Sequence, residues 1–422
     1  MNKLNGRIAY IPLCIVVGFW FVTLFFYCFN LFIHYPGGAK LLVFGYVLFS
    51  AALLIAGYFF GLKFSFRAID IKNPERVAAL GFLFYLILFV PTVYSYTGNS
   101  IFSFFDLLLS PSDAYKSMVD TVTGSRDERG GLILLKTLLS PFVISVIPYF
   151  SYTWFKYRRN GRYLVAVIFL YFSMSVYRGT DKEGFDVLIL VFSALLMANP
   201  NVFSFFSKDR KRIFYLLFVL IALLMLVYNF SYRKGERLSG VNEVCFKGTA
   251  ICNAIDPEQS GGEFGAFMLS RYLTQGYHGL SIAFGAEFNS GYGFGHSRPL
   301  QYLSSKVFGD VNRNMVVSQL DSLGWASKGL WSTGFVWLAN DVPLLLVPFV
   351  ILFFGLVMAL AWKMAITREN FSAIIVFSFM FFSLIYMPGN LQLAQSGDLY
   401  VGYLFWLSFF LLGAFVPKKR NV

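Results

Sequence analysis

Residues Arg178 to Asp186 read RGTDKEGFD, five charges in nine residues, directly behind the apolar run Tyr163–Tyr177. As a helix that run of fifteen residues reaches about 22 Å, short of the roughly 30 Å of a bilayer's hydrocarbon. Arg178 therefore belongs at or below a membrane interface, where it either snorkels or lines a water-filled cavity. Arg178 and Lys182 can be balanced by Asp181, Glu183 and Asp186. Two readings follow: a charged turn solvated at the surface, or the wall of an anion-binding cavity. Lys136, five residues into another apolar run, poses the same question.

A second group lies at Leu269–Ser281, LSRYLTQGYHGLS. Leu269, Tyr272, Leu273, Tyr277 and Leu280 recur at helical spacing, and Arg271, Thr274, Gln275, His278 and Ser281 recur on the other face. The pattern predicts a helix lying on the membrane, apolar side down, with Arg271, Gln275 and His278 turned toward a polar ligand or toward solvent. Gly276 and Gly279 weaken that helix by about 1 kcal/mol each relative to Ala. Beyond it, GAEFNSGYGFGHSRPLQYL carries Glu287, Asn289, His296 and Arg298 among four glycines, a mark of irregular or closely packed backbone. A histidine there is either a hydrogen-bonded structural residue or an acid/base group. Tyr272, Tyr277, Tyr292, Tyr302, Trp325, Trp331 and Trp337 offer rings that can stack on sugars or anchor the chain at an interface. HExxH, CxxC and DxD are absent, as are the P-loop and Rossmann fingerprints. Neither a metal nor a nucleotide site has sequence support.

The elements that must position these groups are membrane helices. Of 422 residues 57% are hydrophobic and only 14% charged, with 51 phenylalanines, against about 25% charged in soluble proteins. That excludes a soluble enzyme, a disordered chain and a secreted disulfide scaffold. Ten apolar runs predict spans: Ile8–Phe29, Leu41–Leu62, Val77–Thr97, Gly131–Phe155, Tyr163–Tyr177, Val187–Phe206, Ile213–Phe230, Val342–Trp362, Phe371–Pro388 and Leu399–Val416. With the N-terminus inside, the six short inner segments hold 19 Lys/Arg and four acids, while the outer segments hold 15 Lys/Arg and 18 acids. The basic excess is thus a topology signal with both termini cytoplasmic, not a nucleic-acid surface. The expected fold is an all-α polytopic membrane protein of about ten, and up to twelve, transmembrane helices. Residues 1–230 would hold seven of them with an outer loop at 98–130, residues 231–341 a large periplasmic loop with short amphipathic helices, and residues 342–422 the last three. Cys245 and Cys252, in VCFKGTAIC of that loop, are either a disulfide or two free thiols.

The chain resembles the bacterial O-antigen polymerases of lipopolysaccharide biosynthesis. The likeness rests on the overall layout, on YRGTDKEGFD at the end of a span, and on YLTQGYHGLSIAF followed by YGFGHS. These motifs cover about forty residues, and His278 stands where the family shows Tyr as often as His. The resemblance implies an inner-membrane glycosyltransferase. It would move a growing polysaccharide from undecaprenyl diphosphate onto a new lipid-linked repeat unit at the periplasmic face, without a cofactor and alongside a separate chain-length regulator. The leaving diphosphate calls for cations, for which Arg178, Lys182, Arg233, Arg271 and Arg298 are candidates, with Gln275, Tyr272 and Tyr277 as further substrate contacts. The attacking hydroxyl calls for a general base, with His296, Glu287, His278 and Asp181 as candidates in that order. An O-antigen ligase-like enzyme shares most of these features, and a lipid-linked oligosaccharide flippase is the non-enzymatic alternative.

Overall fold

The computed structural model describes residues 6–29, 33, 35, 39–64, 69–124, 129–201, 203, 211–237, 243–245, 252–254, 261–309, 314–326 and 329–413. Its helices are Gly6–Ala9 (α1), Ile11–Cys28 (α2), Lys40–Lys63 (α3), Pro74–Thr97 (α4), Phe104–Leu109 (α5), Pro111–Gly124 (α6), Gly130–Tyr157 (α7), Gly161–Tyr177 (α8) and Lys182–Ala198 (α9). They continue as Lys211–Arg237 (α10), Gly261–Ala283 (α11), Arg298–Phe308 (α12), Val316–Gln319 (α13), Gly334–Leu338 (α14), Val347–Arg368 (α15), Phe371–Tyr386 (α16) and Gly397–Leu412 (α17). Two three-residue strands, Glu243–Cys245 (β1) and Cys252–Ala254 (β2), pair antiparallel with Cys245 opposite Cys252. The side chains of these two cysteines lie outside the described residues.

Among the described residues each of the ten apolar runs contains a helix, the first also the end of α1, and six helices (α2, α3, α4, α7, α10 and α15) are long and apolar enough to cross a membrane. α8, α16 and α17 are shorter apolar helices. The architecture is that of an all-α, multi-pass membrane protein. The sixth run is displaced from its expected bounds. Its helix begins at Lys182 rather than Val187 and stops at Ala198. Pro200 sets the far end, because the residue before a proline is driven out of helical conformation. At the near end Lys182 and Asp186, one turn apart, pair at 2.8 Å and let the charged segment enter the helix.

Packing explains several small residues. In lipid, helices associate through close backbone approach rather than hydrophobic burial. Gly57 and Gly61, a GxxxG on α3, face α15, where Gly355 sits against Leu54. A Cβ at Gly61 would lie 2.8 Å from the Ala359 methyl, and one at Gly57 would overlap the Leu352 carbonyl. α16 is buried on nearly every side from Phe371 to Leu384, as expected of a helix apolar all round. α7 contains Pro141, which removes the amide that would bond the Thr137 carbonyl. The Ser140 hydroxyl donates to that carbonyl instead, at 2.7 Å, the kind of local repair that spanning helices require.

α11 departs from expectation. It does not lie with one face open: Thr274, Gln275, His278 and Ser281 are as buried as Tyr277 and Leu280. The helix is wedged between α2, α10 and the segment after α16. Gly276 and Gly279 are the reason it fits. A Cβ at Gly276 would overlap the Pro388 carbonyl, and one at Gly279 would lie 3.1 Å from the Trp325 Nε1. An exposed apolar face belongs instead to α12, which presents Leu303, Val307 and Phe308.

Candidate functional site

The turn between α8 and α9 carries the first cluster. Gly179 adopts φ +56°, and a Cβ there would also meet the backbone of α6 at Tyr115. α6 thus covers the turn, and a turn solvated at the surface is not what forms. Asp181, Glu183 and Asp186 are all buried, at 7%, 6% and 7% exposure. Each has its own partners, as a buried carboxylate requires. Glu183 pairs with Arg178 and accepts from the Thr180 hydroxyl at 2.8 Å. Asp186 accepts from Lys182 and, at 2.7 Å, from the Tyr386 hydroxyl at the end of α16. Asp181 accepts from Asn229 at 2.8 Å and faces Arg233 at 3.5 Å.

The two kinds of cation in this cluster differ. Arg233 is buried, and its guanidinium also donates to the carbonyls of Ser175 and Thr180 at 3.1 and 3.0 Å. Arg233 ties α10 to the turn and is committed there. The candidate base Asp181 is equally committed. Arg178 and Lys182 keep 29% and 28% of their side-chain surface exposed above buried carboxylates. A charged group with one fixed partner and one open side can still take an anion.

α17 joins this cluster to a second. In its first turn Asp398 pairs with Lys136 of α7 at 3.2 Å, and Lys136 lies within electrostatic reach of Arg178. Tyr85 and Tyr171 stack at 4.9 Å beside Glu183 and Asp398. Two residues after Asp398, the Tyr400 hydroxyl bonds His296 Nε2. His296 Nδ1 is 2.6 Å from Asp341 Oδ2.

Asp341 is itself held by backbone. Its carboxylate accepts the amides of Gly293, Gly295 and His296 at 2.9, 2.8 and 2.8 Å. Gly291 and Gly295 approach each other so closely that a Cβ at Gly291 would lie 2.7 Å from the Gly295 Cα. The glycine-rich stretch is thus a wrap around Asp341. Burial pushes the Asp341 carboxyl upward, but the His296 hydrogen bond and the backbone amides outweigh it and hold it below its ordinary value. With Asp341 ionised, Nδ1 carries the hydrogen and Nε2 is the acceptor. The result is a Tyr400–His296–Asp341 relay, in which the imidazole is oriented as a general base must be.

The other candidates are placed elsewhere. Glu287 is exposed, and its backbone amide and carbonyl bond the Gln319 side chain at 2.9 and 2.8 Å. Among the described residues nothing links its carboxylate to the relay. His278 is buried, stacked on Tyr35 at 5.0 Å and edge-on to Trp325 at 5.4 Å. Burial, with the Lys40 charge, lowers its pKa to about 4, so it is a neutral packing residue. Gln275 is buried on the same helix. Tyr277 is fully buried, bonding Thr23 at 3.0 Å, and so binds helix to helix. Tyr272 accepts from Lys234 at 2.9 Å, Arg271 is half-buried near Tyr35, and Arg298 lies over the Trp337 ring at 5.5 Å.

Sequence reasoning passed over Asp341, Tyr400 and Asp398. A signal existed for the two acids: Asp341 and Asp398 are each the last residue before a predicted span, where an ionisable group is costly unless it has a task. Tyr400 had none among 25 tyrosines. Comparison with family models, with curated proteins and with solved structures found no match to this chain.

Proposed function

We propose that the protein is a lipid-diphosphate-dependent glycosyltransferase of the O-antigen polymerase type, working at the periplasmic face of the bacterial inner membrane. In this reading all ten apolar helices span, both termini are cytoplasmic, and residues 231–341 are periplasmic. The observation that carries it is the meeting at the start of α17 of a histidine relay with partly exposed cations: His296 through Tyr400 on one side, Arg178 and Lys136 through Asp398 on the other. General base and leaving-group electrophile are the two parts this transfer needs.

The chemistry balances without a further reactant. A hydroxyl of the incoming lipid-linked repeat unit attacks the anomeric carbon of the polymer. The new glycosidic bond forms as the bond from that carbon to the diphosphate oxygen breaks, and undecaprenyl diphosphate leaves with the electron pair. The hydroxyl proton passes to His296 Nε2, directly or by way of the Tyr400 hydroxyl, and Asp341 stabilises the imidazolium. Arg178 and Lys182 hold the charge arriving on the diphosphate. The test is deletion of the gene in an O-antigen-bearing strain, with lipopolysaccharide separated on a gel. Loss of a polymerase leaves core carrying a single repeat unit, restored to a ladder by the gene. Core alone would overturn the reading in favour of a ligase or a flippase.

A further inference from the structure

At the opposite end of α8 the structure holds an open cavity of about 790 Å³ whose lining includes Glu75, Trp154, Arg159, Arg162 and Tyr163. We infer that it binds the phosphate headgroup of an acidic membrane lipid, with the acyl chains lying along α8. Neither the resemblance nor the charge cluster at the other end of the helix requires such a site.

The turn that builds it is unusually tight. Arg158 and Asn160 both adopt positive φ, at 58° and 63°. A Cβ at Gly161 would strike the Trp154 ring at 2.5 Å, so only glycine lets that ring lie flat against the turn. Arg162 is spread over the Tyr163 ring at 4.8 Å and donates to its hydroxyl at 3.1 Å. Arg158 lies over Trp154 at 5.7 Å. The rings hold guanidinium groups at the rim while leaving N–H donors free of carboxylates. Among the described residues no acid is ion-paired with Arg158, Arg159 or Arg162. Two cations against the single carboxylate of Glu75 make the cavity an anion site.

What distinguishes a lipid from a free anion is the surface beyond the rim. Val165 lines the cavity and is 69% exposed. Phe169 and Phe172 follow on the same face of α8, exposed by 57% and 41%. Spacing of four and then three residues places the three side chains in one stripe. An apolar stripe running out of a basic, aromatic cavity matches an amphiphile, phosphate in the cavity and chains on the stripe.

The test uses the purified full chain in uncharged detergent, with dioleoyl phosphatidylglycerol, dioleoyl phosphatidylcholine or inorganic phosphate added. Thermal unfolding and native mass spectrometry report binding. Phosphatidylglycerol is expected to raise the unfolding temperature and to remain bound, and the other two are not. In the Arg159→Gln/Arg162→Gln double variant its affinity should fall roughly thirty-fold, since each basic residue contributes about 1 kcal/mol at a lipid surface. Glu75→Gln, which removes a like charge, should bind at least as well as the natural chain. Equal effects of the two lipids on the natural chain would overturn the inference, whatever the variants do. So would an equal effect of inorganic phosphate, or full phosphatidylglycerol binding by the double variant.

Discussion

Asp341→Asn isolates the relay from the rest of the site. The carboxylate accepts four hydrogen bonds, two at Oδ1 from Gly293 and Gly295 and two at Oδ2 from the His296 amide and ring. Asparagine can keep the Oδ1 pair, but its amide nitrogen then faces two donors. Two charge-assisted bonds at about 1.5–3 kcal/mol each are lost. Even about 3 kcal/mol is a factor of roughly 150 in the population of the working arrangement. The initial rate of polymer formation from lipid-linked repeat units by purified protein should therefore fall by about 10²–10⁴. His296→Gln should fall by a similar factor, and the double variant should be no slower than the slower single, because both changes disable one base. The sign of the pH effect follows from Asp341's lowered pKa. Its contribution to stability is present above the ordinary carboxylate range and is lost as pH falls through the lower folded value, from about pH 4 downward. Asp341→Asn should lack that acid limb. A folded Asp341→Asn protein with a normal rate, or single losses that multiply in the double variant, would refute the relay.

Arg178→Ala leaves Glu183 buried without its cation, so it should cost about 3–5 kcal/mol and reduce the folded protein in the membrane; Arg178→Lys keeps the pair, and should keep normal abundance while shortening the polymer. Immunoblots of membranes beside lipopolysaccharide gels separate the two effects, and normal polymer from Arg178→Lys at normal abundance would remove the guanidinium from the mechanism. His278 titrates near 4 when folded against 6.5 ordinarily. The unfolded chain takes up that proton first, so stability should fall by about 3 kcal/mol between pH 6.5 and 4, a slope that His278→Gln should lack in thermal unfolding. For topology, Tyr292→Cys should react with a membrane-impermeant maleimide in cells with a permeabilised outer membrane, and Arg368→Cys only after lysis; matching behaviour would refute the orientation.

The helices were legible because bilayer thickness imposes a length and a composition that any apolar run displays. The α8–α9 turn was legible for a related reason: a fifteen-residue run followed by RGTDKEGFD leaves charges at a depth where they must find partners. Which partner each one takes was not legible, since Arg233 and Asn229 reach Asp181 from another helix, and Tyr386 reaches Asp186 across 200 residues. α11 misled for a physical reason. A polar face on an amphipathic helix reads as wet, yet Thr274 bonds Tyr35 and His278 stacks on it, so that face is satisfied by protein. His278→Tyr, mild by resemblance, would have to fit a larger ring between Tyr35 and Trp325. His296 was singled out for its chemistry and its glycines, but the purpose of the glycines lies in Asp341, 45 residues away.

The position of Tyr400 constrains how the two halves of the site work together. Asp398 and Tyr400 are two residues apart on one helical turn, about 200° around the axis, so they leave α17 on opposite sides. Asp398 fastens one side to Lys136 of α7, and Tyr400 fastens the other to His296. α17 therefore cannot shift without disturbing either the ion pair or the relay. The Gly397 backbone strengthens this, because a Cβ there would already touch Pro299 at 3.6 Å and the Thr137 hydroxyl at 3.7 Å. The proposed base and the cation cluster come from distant parts of the sequence, Lys136 and Arg178 on one side and His296 and Asp341 on the other. The first turn of α17 contacts both, through Asp398 to Lys136 and through Tyr400 to His296, which fixes their separation more firmly than a loop would.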